Sequence, residues 1–193
     1  MESIQEIKER FKNTQVQELP ALCEAYKADE RKGVQKLVEQ GQKRIQALEK
    51  EKERLKQMRE FERKYEHLGY VCGIDEVGRG PFAGPVVAGA VILPPDCEIL
   101  YVNDSKQLSE KMREQLYDEI MEKAVSVAVG YASPQRIDEI NILQATYEAM
   151  REAILKLEIT PQILLNDAVT IPQVTIPQVP IIKGDAKSIS IAA

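Results

Sequence analysis

Two carboxylates stand side by side in the stretch Gly73-Ile74-Asp75-Glu76-Val77-Gly78-Arg79-Gly80-Pro81-Phe82-Ala83-Gly84-Pro85-Val86-Val87. The apolar run Tyr70 to Ile74 before them is short enough for one buried strand. The Val- and Ile-rich run from Pro85 to Leu93 after them suits a second. Acids at the C-terminal end of a core strand are costly unless something positive lies between them, and a divalent metal is the simplest such partner. Two rival readings compete. Turns collect Asp and Gly for backbone reasons alone, so a solvated hairpin with a surface ion pair to Arg79 uses the same residues. Gly78 to Ala83 also satisfies G-x-G-x-x-G/A, with Asp96 downstream. That fingerprint must open a helix, and two glycines, a proline and a β-branched run follow instead, so dinucleotide binding is excluded.

The elements that position these acids follow from periodicity. Ile4, Ile7 and Phe11 predict a short helix, Leu19 to Tyr26 a second, and Val34, Val38, Gly41, Ile45, Leu48 and Leu55 approximate a heptad seam weakened at Gly41. Phe61, Tyr65 and Leu68 close this helical part as an apolar stripe, and the lone His67 beside it has no partner ligands in view. Beyond Gly69 strands and helices mix. Ser109 caps a helix to about Ala124, with Met112, Leu116, Ile120 and Met121 expected on its buried side. Ser133-Pro134 and Asn141 open two more helices. Ile163 to Asp167 is a strand, the repeat Thr-Ile-Pro-Gln-Val at 170–174 and 175–179 an extended loop or edge hairpin, and Pro180 to Lys183 a last strand.

Composition bounds the rest. The 193 residues, 44% hydrophobic and 30% charged, allow one sizeable core and an appendage. The net charge of −5 is split, +2 over residues 1–70 and −7 over 71–193. An acidic half suits a site that a polyanion approaches through bound cations. Lys27, Arg31, Lys32, Lys36, Lys43 and Arg44 cluster in the basic half and are expected to grip phosphates, the alternative being a helical hairpin for stability or partner contact. Cys23, Cys72 and Cys97 have no zinc-like spacing, the first residues show no secretory pattern, and no run is apolar enough to span a bilayer. A cytoplasmic monomer without membrane contact is expected.

The fifteen-residue stretch, together with Asp104-Ser105-Lys106-Gln107-Leu108-Ser109, Leu164-Leu165-Asn166-Asp167-Ala168 and Lys183-Gly184-Asp185-Ala186-Lys187-Ser188 in that order, resembles type 2 ribonuclease H (ribonuclease HII) from about Tyr70 to Ala193. The resemblance implies an α/β fold, a ribonuclease H-like mixed sheet flanked by helices, in residues 69–193. A small all-helical substrate-binding extension, 1–68, precedes it. It implies an endonuclease that cuts the RNA strand of RNA–DNA hybrids, or at ribonucleotides embedded in DNA, leaving 5′-phosphate and 3′-OH ends. Asp75, Glu76 and Asp167 would be catalytic and hold two Mg²⁺ or Mn²⁺ ions, hard cations that prefer carboxylate oxygens. Adjacent strand residues face opposite sides, so Asp75 and Glu76 share a site only where the strand ends or twists.

Gly78, Arg79 and Gly80 would read the ribose 2′-OH, with Arg79 alternatively neutralising the acid pair. Lys106, Lys183, Lys187 and Ser188 would lie near phosphates, and Asp104 and Asp185 either support the site or cap turns. The resemblance further places a fourth carboxylate on a helix beyond Ala193, so reduced activity is expected of this chain. A non-catalytic hybrid-binding protein, or a helical interaction module with a vestigial nuclease domain, are the alternatives.

Overall fold

The computed structural model describes residues 2–80 and 84–193; Met1 and, inside the glycine-rich stretch, Pro81, Phe82 and Ala83 lie outside the described residues. The chain divides into two compact units, residues 1–54 and 55–193.

In the first unit, α1 (Ile4–Asn13) starts at a reciprocal capping box between Ser3 and Glu6. It is followed by α2 (Leu19–Ala25) and the long α3 (Lys32–Met58), whose Arg54–Leu55 bond is the boundary between units. Ile7, Phe11, Leu19, Leu22, Cys23, Val34 and Val38 form the core of this unit. Gly41, expected to weaken the seam, is its point of closest approach. A Cβ there would come within 2.7 Å of Cys23 Sγ and 3.0 Å of the Phe11 ring.

The second unit begins with the end of α3 and α4 (Glu60–Tyr65), then enters the sheet: β1 (Val71–Val77), β2 (Val86–Ile92), α5 (Glu110–Lys123), β3 (Ser126–Ala132), α6 (Pro134–Ile140), α7 (Ile142–Lys156), β4 (Ile163–Asp167), β5 (Gln178–Ile181) and α8 (Ile189–Ala192). The strand order is β3-β2-β1-β4-β5; β2 is antiparallel to β1 and β3, and β4 is parallel to β1 and β5. Caps stand where side-chain chemistry predicts: Ser109, Ser133 and Asn141 accept from backbone N–H groups of α5, α6 and α7. Leu116 and Ile120 are buried as expected, but Met121 is exposed, because α5 buries a narrower stripe than its apolar count suggests.

Strand alternation sorts the core. Cys72, Ile74 and Leu164 face the alanine-rich side of α7, where Ala145, Ala149 and Ala153 let helix and sheet approach closely. Val71, Ile163, Leu165, Ile181 and Ile191 pack on the opposite face, where α8 lies. The second Thr-Ile-Pro-Gln-Val repeat has a structural role. Gln178 Oε1 accepts from Asn166 Nδ2 and from the Ile171 N–H, both at 2.8 Å, tying the loop to buried Asn166 on β4. Cys23, Cys72 and Cys97 are buried free thiols. Among the described residues, no helix is long and apolar enough to cross a membrane.

Candidate functional site

The parallel pairing of β1 with β4 sets the site. Its last rung joins Ile74 to Asn166, so Asp75 and Asp167 follow one residue later on neighbouring strands and on the same face. β1 stays paired through Glu76–Ala88 and Val77–Val87, so the strand does not end between the two adjacent acids, yet both border one cleft of about 200 Å³. Asp104 and Asp185 border it too. The Glu76 N–H donates to Asp75 Oδ1 at 2.7 Å, and Arg79 Nη1 donates to Glu76 Oε1 at 3.1 Å. Glu76 Oε2 is buried without a hydrogen-bond donor.

Asp185 arrives through a turn packed closely against Asp167. Gly184 N–H donates to Asp167 Oδ1 at 2.7 Å, and a Cβ on Gly184 would press to 2.6 Å from Ile191 Cδ1 and 3.3 Å from Asp167 Cα. Burial, and then the charges of Glu76, Asp167 and Asp185, push the Asp75 carboxyl up to about 7. Asp185 is raised by burial and by the charges of Asp167 and Asp104, with Lys106 opposing. Asp185 therefore belongs to the acidic group as well as to a turn. Asp104 does both as well, since its Oδ1 accepts from Lys106 N at 2.9 Å. An orphaned oxygen on Glu76, and Asp75 and Asp185 raised by burial and by neighbouring carboxylates, are what a divalent cation relieves, so these residues fit one. Among the described residues no three of these acids converge into a ready ligand cage.

The remaining sequence-predicted residues sort by partner. Arg79 pairs with Glu76, as the neutralising reading requires, while its guanidinium stays partly exposed. Gly78 has φ 98° and a Cβ there would come within 2.3 Å of the Pro85 carbonyl oxygen, so the backbone itself demands glycine. Among the described residues, a Cβ on Gly80 would meet nothing within 4 Å. Lys106, Lys183 and Lys187 are exposed, and among the described residues no ion pair engages them. Ser188 is not brought to a phosphate-facing surface. It is fully buried, capping α8 and donating to Glu62, because the short helix needs its first N–H groups satisfied. Sequence reasoning missed Glu62. For Asp185 the available signal was an acid in the short Lys-Gly-Asp-Ala-Lys-Ser block that follows the last strand.

In the first unit, three of the basic cluster are engaged internally. Arg31 forks onto Asp29 and donates to the Glu2 carbonyl at 2.8 Å, Arg44 Nη1 donates to the Phe11 carbonyl at 2.8 Å, and Lys27 pairs with Glu24. Lys32, Lys36 and Lys43 stay exposed on α3, within roughly 40° of one another at the helical repeat.

Residues 3–66 match the family model of the ribonuclease HII N-terminal domain, and residues 72–193 match that of ribonuclease HII. The chain belongs to the ribonuclease HII family. It is 68% identical to ribonuclease HII of Lachnoclostridium phytofermentans over 87% of this chain and 66% of that protein. It is 56% identical to ribonuclease HII of Bacillus cereus over 86% of this chain and 65% of that one. The chain thus spans just under two thirds of the length of these relatives. Among solved structures it resembles ribonuclease H2 of Pyrococcus horikoshii, at 28% identity and a TM-score of 0.56, covering 64% of this chain and 67% of that one. It also resembles the structure titled as the PCNA:RNase HII complex from Archaeoglobus fulgidus, at 30% identity and a TM-score of 0.53 with the same coverages. The mixed five-stranded sheet flanked by helices is therefore a ribonuclease H-like fold, preceded by the family's helical N-terminal region.

Proposed function

We propose that this ribonuclease HII chain is a metal-dependent endonuclease that cuts the RNA strand of RNA–DNA hybrids, or at ribonucleotides embedded in DNA. Its products would carry 5′-phosphate and 3′-OH ends. The observation that carries this reading is the acidic group at the ends of β1 and β4, where burial and neighbouring carboxylates raise Asp75 and Glu76 Oε2 has no donor. Asp75, Glu76 and Asp167 would hold Mg²⁺ or Mn²⁺, with Asp185 beside them as a further carboxylate. Bound divalent ions acidify a water and relieve charge on the leaving oxygen.

The protein's own part is positioning. Asp75 and Asp167 are fixed by strand register, Asp185 by the Gly184 turn, and Glu76 by Arg79. Gly80, with open space above it, lets a ribose approach the backbone closely, where the 2′-OH distinguishes RNA from DNA. Lys106, Lys183 and Lys187 hold flanking phosphates. The helical extension, read as residues 1–68, adds grip on the nucleic-acid backbone through Lys32, Lys36 and Lys43. A nicking assay on an RNA–DNA hybrid and on DNA with one embedded ribonucleotide, with Mg²⁺ and with Mn²⁺, tests the reading. Metal-dependent cleavage at the RNA is expected. Binding of the hybrid with no cleavage under either ion would replace the enzyme by a hybrid-binding protein.

A further inference from the structure

Glu62 sits on α4, in the segment that matches the N-terminal family model, ahead of the sheet that carries the acids of the cleft. Its Oε1 nevertheless accepts two hydrogen bonds from the start of α8, from Ser188 Oγ at 2.5 Å and from the Ser190 N–H at 3.0 Å. Ser188 Oγ in turn accepts from the Ile191 N–H at 3.2 Å, and both serines are buried. The Ser190 backbone rests directly on Gly73, where a Cβ would come within 2.0 Å of its carbonyl carbon. Gly73 lies two residues before Asp75, on the same strand face.

The segment so clamped also closes the acidic turn. Ser188 N–H and Lys187 N–H donate to the Gly184 carbonyl at 2.8 and 2.9 Å, while Gly184 N–H donates to Asp167 Oδ1. A continuous run of hydrogen bonds thus links Glu62 to Ser188, to Gly184 and to Asp167, with Asp185 inside the turn it closes.

We propose that Glu62 is a positioning residue for the cation site: by holding Ser188 and Ser190 it fixes the 184–188 turn that presents Asp185 beside Asp167. This rests on the cation-dependent reading above. It gives the last turn of the N-terminal region a part in the site that is separate from any grip on nucleic acid. Groups that orient metal-binding residues without touching the metal typically cost 10–100-fold in affinity when removed.

The test uses the whole chain and reads Mn²⁺ binding as the rise of melting temperature with added Mn²⁺, alongside cleavage. Glu62→Ala should raise the half-saturating Mn²⁺ concentration by about tenfold. Glu62→Gln keeps the accepting oxygen, so it should stay within about twofold of the parent. Ser133→Ala removes a helix cap on α6 of similar worth, about 1 kcal/mol, and should leave Mn²⁺ binding unchanged. If Glu62→Ala does not fold, Glu62→Asp, one methylene too short for both donors, should show the same weakening. Half-saturation at the parent's value in Glu62→Ala or Glu62→Asp would overturn the positioning role, as would equal weakening in Glu62→Gln. A parent chain that shows no Mn²⁺-dependent stabilisation at all would instead overturn the cation reading beneath it.

Discussion

The two units treat charge in opposite ways. In residues 1–54 charged side chains turn inward to finish hydrogen bonds: Arg31 and Arg44 reach backbone carbonyls of other segments, and Glu2 accepts from Tyr26 and Arg10. In residues 55–193 the acids at the ends of β1 and β4 do the reverse, with Asp75 raised to about 7 and Glu76 Oε2 left without a donor. Charge in the first unit serves the fold, while the charge gathered at the ends of β1 and β4 awaits a partner from outside. The contrast separates residues whose removal should loosen the protein from residues whose removal should tighten it.

The sharpest way to break the contrast is Asp75→Asn. Cleavage of an RNA–DNA hybrid should fall by about a thousandfold, since a ligand of the charge-relieving cation is lost. Stability without metal should move the other way at high pH. The Asp75 carboxyl holds its proton up to about pH 7 when folded, against an ordinary value of 3.8. Its contribution is therefore fully present below the unfolded value and is lost as pH rises from about 4 to 7. Above pH 7 the penalty is of order 4 kcal/mol at most. In chelator, Asp75→Asn should melt above the parent at pH 8 and match it at pH 4; a lower melting point at pH 8 would break the comparison. Mg²⁺ should likewise raise the parent's melting temperature more at pH 8 than at pH 5.5, as read by calorimetry.

Asp185→Asn comes next, with a loss of about a hundredfold if it is the fourth acid. Activity equal to the parent would return Asp185 to a turn cap. Gly80→Ala is a smaller effect. A methyl group there meets nothing within 4 Å among the described residues, so melting should be unchanged while hybrid cleavage falls by roughly tenfold through poorer ribose approach. Equal cleavage would remove Gly80 from substrate reading. The smallest effect is expected in the first unit. Replacing Lys32, Lys36 and Lys43 by Gln should weaken hybrid binding severalfold and flatten its dependence on log salt by about 0.9 for each phosphate no longer neutralised, at unchanged melting temperature. An unchanged slope would mean that this face serves stability or a protein partner. Deleting residues 1–54 rather than 1–68 sharpens the same point, because the longer deletion also removes Glu62.

The local vocabulary of the fold is legible in the sequence. Ser109, Ser133-Pro134 and Asn141 announce helix starts through side-chain chemistry that acts within four residues, and the β-branched runs announce β1 and β2. Asp75, Glu76 and Asp167 are legible because each stands at or near the end of an apolar strand. What depends on long-range packing is not. Nothing local says that Gly184 folds back on Asp167, that Ser188 is claimed by a carboxylate 126 residues away, or that Arg31 and Arg44 are spent inside their own unit. Gly41 misleads for the same reason, reading as a weak seam position when it is space for Phe11 and Cys23.

The rung just before the acids, Ile74 with Asn166, also bears on how the chain finds its fold. Side chains alternate along β4, so a one-residue slip against β1 would carry Asp167 to the face packed under α7, among Ile74, Ala149 and Met150. A lone carboxylate in that apolar layer has no partner, and its desolvation would cost more than the slipped pairing returns. The same slip would part Asn166 from Gln178. The charge that makes the site useful thus also acts as a proofreader, rejecting misregistered sheets before they can persist.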